Sequence, residues 1–308
     1  MFNFTQKWNF PSNNYGQILG IAESGVETFN GTPIKSLARE ICQNSLDAAL
    51  DRGKPTRIEF KTFDIDPHNI PDYKSLEDAL KRALDFWSQQ QSDKAKKFFR
   101  QALDVIHKPT ITCLRISDFN TSGLIGSHEE YNSPWCNLTK SSGASDKSGS
   151  RGGSFGIGKF APYACSSLRT VFYSTSDKDG VCASQGISRL TSFKNKKDEI
   201  TQGMGFYGND KNSPMYKQFS LDPAYSRASE NSGTDIFVVA FNGDNGWQHQ
   251  MVASILDGFL YAVYNETLVV NVDGTIISKD SLAELMVTHK EYFSEHADEY
   301  YQTLTDEK

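Results

Sequence analysis

The chain has 308 residues, 38% of them apolar and 23% charged, which allows one large core and excludes general disorder. Its net charge of -6 leaves no global basic field for nucleic acid or an anionic membrane. The five cysteines form no C-x-x-C pair and the six histidines lack metal-ligand spacing, so neither a disulfide framework nor a zinc site is indicated.

Reduced thiols in a cytoplasmic protein are the expectation. The start, MFNFTQKWNF, has no apolar signal region, and the longest apolar stretch, Met251 to Tyr264, is interrupted by Asp257.

Thr32-Pro33 reads as a helix start, a hydroxyl N-cap followed by proline at the first helical position. The helix is expected to run through KSLAREICQNSLDAAL and to end near Gly53. Arg57 to Phe63 alternates as a strand with Ile58 and Phe60 on one side. Leu76, Leu80, Leu84 and Trp87 then recur at helical spacing after Ser75 as cap, and Ala95, Phe98, Phe99, Ala102, Leu103 and Ile106 repeat the pattern after Ser92. The two form a helical hairpin over about 74–107, inserted between strands.

Ile111 to Ser117 is apolar enough for a buried strand and runs directly into Asp118. Asn120 to Gly153 is rich in Ser, Gly and Asn with little periodicity, the pattern of a long mobile loop. Further strands are predicted at Arg169 to Ser174 and Thr234 to Phe241. Trp247, Met251, Ile255, Phe259 and Val263 make a helical stripe. Leu268 to Ile277 reads as a hairpin turning at Asp273-Gly274, and a last charged helix is predicted over Ser281 to Tyr301. The class is α+β, with helices over one face of a mostly antiparallel sheet.

Three elements carry chemistry. In Glu40-x-x-x-Asn44-x-x-Asp47, positions i, i+4 and i+7 fall within roughly 60° on a helix, beside an apolar arc of Leu37, Ala38, Ile41 and Ala48. A carboxamide oxygen there can ligate Mg²⁺ and a carboxylate can activate water; an ordinary solvated helix face has the same composition. Asp118, at a strand end ahead of Phe119-Asn120-Thr121-Ser122-Gly123, can accept a hydrogen bond from an exocyclic amine such as that of adenine, or can simply start a turn.

The third element is Gly153-Ser154-Phe155-Gly156-Ile157-Gly158-Lys159, whose glycines expose backbone N–H groups suited to phosphates if a helix follows; a plain flexible loop is the alternative. The same stretch fits G-x-x-x-x-G-K. The P-loop reading fails because Phe160 stands where Ser or Thr is required and SSGASDKSGSR is no buried strand.

In this order, the three elements resemble the N box and the two glycine boxes of the GHKL family, which groups gyrase-like ATPases, ninety-kilodalton heat-shock chaperones, histidine kinases and mismatch-repair ATPases. Gly233-Thr234 resembles the family's late Gly-Thr element, and the likeness covers roughly residues 20 to 275. The chain resembles the N-terminal ATP-binding domain of the chaperones and MORC-like ATPases. The resemblance implies a Bergerat-type two-layer sandwich over 1–275, with the ATP lid at about 121–152. Residues 276–308 would be a C-terminal hairpin strand and helix leading to a further domain.

It also implies roles. Glu40 would be the general base, Asn44 the Mg²⁺ ligand, and Asp47 a support through water or the ribose side. Asp118 would bind the adenine amine, with Gly123 beside it and Thr234 assisting through water. Gly153, Gly156 and Gly158, with Phe155 and Ile157 between them, would wrap the phosphates of ATP, and Lys159 would add a positive contact. The family's first glycine box is D-x-G-x-G, whereas here one residue is added and Asn120 occupies the first glycine position.

The function implied is Mg²⁺-dependent ATP hydrolysis that closes the lid, favours a homodimer and switches a protein partner or fused effector. The process is left open among chaperone-like, DNA-clamp-like and bacterial defence roles, the acidic balance leaning against direct DNA binding. Alternatives are a nucleotide-binding module without useful turnover, and histidine-kinase phosphotransfer. The last is disfavoured because none of the six histidines precedes Glu40.

Overall fold

The computed structural model describes residues 6–23, 25–29, 31–141, 158–294 and 296–306. In chain order they form β1 (Lys7–Asn9), α1 (Pro33–Asp47), β2 (Thr56–Ile65), α2 (Tyr73–Gln89), α3 (Asp93–Ile106), β3 (Ile111–Phe119), α4 (Pro134–Thr139), α5 (Ala161–Ala164), β4 (Thr170–Ser176), β5 (Cys182–Arg189), β6 (Met204–Gly208), β7 (Gly233–Val238), α6 (Trp247–Tyr264), β8 (Leu268–Val272), β9 (Thr275–Ile277), α7 (Leu282–Thr288) and α8 (Ala297–Asp306). The strands make one nine-stranded sheet in the order β1-β6-β5-β4-β7-β3-β2-β8-β9. Only β2 and β8 pair in parallel. The fold is the mixed α+β sandwich expected, with a mostly antiparallel sheet.

Side-chain alternation assigns the two faces. Ile58, Phe60, Leu114, Ile116 and Val238 point to one side, where they pack with Leu37, Ala38 and Ile41 of α1 and Met251, Ile255 and Leu256 of α6. Ile65, Cys113, Phe172 and Phe237 point to the other, against Leu76, Leu80, Phe99 and Ile106 of the inserted hairpin. The hairpin thus covers one end of the face opposite α1. Leu282, Leu285, Met286 and Ala297, beyond residue 275, pack into the α1 side. Among the described residues no helix is long and apolar enough to cross a membrane.

Several predicted boundaries are corrected by tertiary hydrogen bonds. α1 stops at Asp47, not near Gly53, because the exit of β3 captures the groups that would extend it. Ser122 N donates to Ala48 O at 2.8 Å and Leu50 N to Asn120 O at 2.9 Å. α2 starts after Asp72 rather than at Ser75, and Asp72 makes no side-chain cap hydrogen bond. The chain is clamped there by β1, Trp8 donating its amide to Asp72 Oδ2 and its indole N–H to Pro71 O, both at 2.9 Å.

The predicted final helix is two, α7 and α8. Ser294 N in the break is taken by Asp257 of α6 at 3.1–3.2 Å, and the His289 ring reaches His249 of α6 at 3.1 Å. The loop predicted from Asn120 contains α4, started by Ser133-Pro134 with Cys136 N on Ser133 Oγ at 3.1 Å and anchored by the buried Trp135. The same hydroxyl-proline pair precedes α1, where Thr32 makes no side-chain cap hydrogen bond and Pro33 opens the helix.

Candidate functional site

β3 delivers Asp118 to the end of the sheet on the α1 side, opposite Ile58 of β2. Its Oδ1 accepts from Thr121 Oγ1 at 2.7 Å and from the Thr234 backbone N–H at 2.8 Å, and Oδ2 accepts from Ser45 Oγ of α1 at 3.2 Å. Burial pushes its pKa above the ordinary carboxylate value, and these donors with the Arg227 charge oppose that rise. Asp118 keeps a partly exposed edge. Oδ2, with a single donor, has capacity left to accept from a ligand amine.

Thr234 is the second residue of β7, and the pairing of β7 with β3 brings it beside Asp118. Gly123 follows the turn with φ +63, and a Cβ there would lie 2.8 Å from Ser176 O, so only glycine fits. Asn120, at the position of the missing first glycine, has φ 59, a left-handed conformation that asparagine tolerates. Its amide binds Asp51 O and Lys54 O at 2.8 and 3.0 Å, tying the site's floor to the loop after α1.

On α1, Asn44 Nδ2 donates to Glu40 Oε1 at 2.9 Å, which leaves the amide oxygen of Asn44 available to a cation. Asp47 lies on the exposed side and accepts from Gln43 Nε2 at 3.1 Å. The helix residue that reaches Asp118 is Ser45, not Asp47. Ser45 and Glu40 are five residues apart, about 7.5 Å along the axis, so one helix spans the site from Asp118 to the Glu40 carboxylate.

That carboxylate meets the end of the second glycine box. A Cβ built on Gly158 would fall 1.6 Å from Glu40 Oε2, so the backbone approaches the acid as only glycine permits. Gly153, Phe155, Gly156 and Ile157, with the part of the expected lid beyond Ser141, lie outside the described residues. Lys159 is not a solvated surface lysine: it is buried, and its Nζ donates to Asn137 O at 2.8 Å and Ser141 O at 2.6 Å, at the end of α4. Burial, with the nearby Arg189 charge, lowers its pKa to about 8.

Ser45 and Thr121 were missed as site residues. Ser45 had a signal, since Leu37, Ile41 and Ser45 form a four-spaced row in which a hydroxyl replaces an apolar side chain on the buried arc. Among the described residues no three His, Cys, Asp or Glu side chains converge on a metal position. No protein-family model matches the sequence, and no curated protein matches it significantly.

Proposed function

We propose that this chain binds ATP with Mg²⁺ between α1 and the ends of β3 and β7, and hydrolyses it. The observation that carries the reading is the Asp118 carboxylate, held by three donors from three separate segments under the helix whose middle sets Glu40 against Gly158. Asp118 would accept the adenine amine, with Thr234 and Ser45 fixing its orientation. Glu40, hydrogen-bonded to Asn44, would take the proton of the attacking water, while Asp47 would act from the solvent side.

Mg²⁺ ordinarily keeps waters and phosphate oxygens and takes one or two protein oxygens, which the single amide oxygen of Asn44 suits; when bound it would neutralise phosphate charge. The backbone from Gly153 to Gly158 would line the phosphates. Closure of the expected lid, at about 121–152, over the nucleotide, with homodimer formation and action on a partner or effector, completes the proposal.

Calorimetric titration with Mg-ATP tests it. Wild type should bind, Asp118→Ala should not, and Glu40→Ala should bind while phosphate release falls by about 10²–10⁴-fold. Wild type that binds no adenine nucleotide ends the reading. Undiminished turnover in Glu40→Ala ends the assignment of the base, and absence of turnover in wild type leaves a binding module.

A further inference from the structure

Four arginines are buried among the described residues: Arg115, Arg169, Arg189 and Arg227. Three meet carboxylates, Arg115 at Asp222, Arg169 at Glu27 and Arg227 at Asp235. Arg189, 5% exposed at the end of β5, has none. Its guanidinium lies 4.5 Å over the Phe160 ring and 5.1 Å over that of Tyr163, and Nε and Nη2 have no hydrogen-bond partner among the described residues.

Ring faces attract the charge but cannot accept the in-plane N–H groups. Nε–H and Nη2–H lie on one edge of the guanidinium, the fork that fits two oxygens of a carboxylate or phosphate.

A second buried cation stands close by. Lys159 feels the Arg189 charge, has no acid partner among the described residues, and spends two of its three N–H donors on the carbonyls of Asn137 and Ser141. Two buried cations, neither of them in a salt bridge among the described residues, and one with two N–H groups left over, make a costly arrangement without an anion.

We propose that Arg189 and Lys159 form a phosphoryl oxyanion site, with Arg189 gripping two oxygens through Nε and Nη2 and Lys159 giving its third N–H. A tetrahedral dianion suits two cations better than a carboxylate does. Lys159 directly follows Gly158, whose backbone abuts Glu40, so the site adjoins the reacting end of the candidate nucleotide site. The terminal phosphate of ATP is one source of the oxyanion, and that source rests on the proposed function; free inorganic phosphate is the other.

The test uses the full chain and three probes, inorganic phosphate at constant ionic strength, Mg-ADP and Mg-ATP, on wild type, Arg189→Gln and Arg189→Lys. If the terminal phosphate is the ligand, both variants weaken ATP by about tenfold or more and leave ADP unchanged. If free phosphate is the ligand, millimolar phosphate raises the wild-type unfolding midpoint saturably, and the variants lose that rise.

Arg189→Lys keeps the charge without the fork and decides the matter if Arg189→Gln fails to fold; the wild-type phosphate titration needs no variant. An unaltered preference for ATP over ADP together with no saturable phosphate effect overturns the proposal. Phosphate binding in a wild type that binds no nucleotide would sustain it while ending the ATPase reading.

Discussion

Asp118 combines a buried carboxylate with three donors, and burial wins, since its pKa lies above the ordinary value. A group whose folded pKa is raised contributes its stability fully below the unfolded pKa and loses it as pH rises through the folded pKa. Ionised Asp118 therefore costs stability relative to the protonated acid. Asp118→Asn should unfold at an equal or higher temperature than wild type at pH 7, the difference shrinking toward acidic pH, because the amide oxygen still accepts from Thr121 and Thr234. A lower midpoint at pH 7 would show the carboxylate to be structural. Gly158 shows the same selectivity in backbone form, admitting the Glu40 carboxylate where any side chain would stand.

Among the elements, α4 has the most distinctive attachment. It is six residues long, too short to persist alone, and it is held by the buried Trp135, by Ser133 Oγ donating to Gly126 O at 2.9 Å, and by the Lys159 amino group at its last carbonyls. A cation at a helix C-terminus is favourably placed, so Lys159 links α4 to the segment that carries Gly158. Lys159→Met should speed amide hydrogen exchange across 134–141 while leaving exchange in α1 and α6 unchanged. Equal protection in both proteins would show that Trp135 alone holds the segment.

Across the whole molecule the sheet separates two cores. α1 and α6 cover the face that carries Asp118, and α2 and α3 cover part of the other. Leu80, fully buried in the hairpin, should cost about 2–5 kcal/mol when replaced by alanine. Denaturant unfolding measures that loss. Nucleotide affinity of the folded Leu80→Ala protein should remain within a few-fold of wild type, and a large drop would mean that the hairpin reaches the site through the sheet.

What could be read from the sequence was local. The Thr32-Pro33 start of α1, the helical stripes of the hairpin and of α6, and the Asp273-Gly274 turn each depend on residues a few positions apart, so periodicity and capping suffice. Ser133-Pro134 carried the same kind of signal for α4. Asp118 at a strand end and Glu40 and Asn44 one turn apart were legible in the same way.

Tertiary structure decided the rest. The sequence pattern predicted no strand at β5, whose buried Ser184 and Gln185 donate to the distant Lys217 O and Asn212 O and whose Ser188 accepts from Thr170 Oγ1. α1 ends where Asn120 and Ser122 claim its last groups, Ser45 reaches Asp118, and Arg189 meets the Phe160 and Tyr163 rings only once β5 and α5 come together. Each depends on which distant segments become neighbours. A one-dimensional pattern records which side chains are apolar; it does not record which remote donor, acid or ring will meet them, and that is settled only when the strands pair.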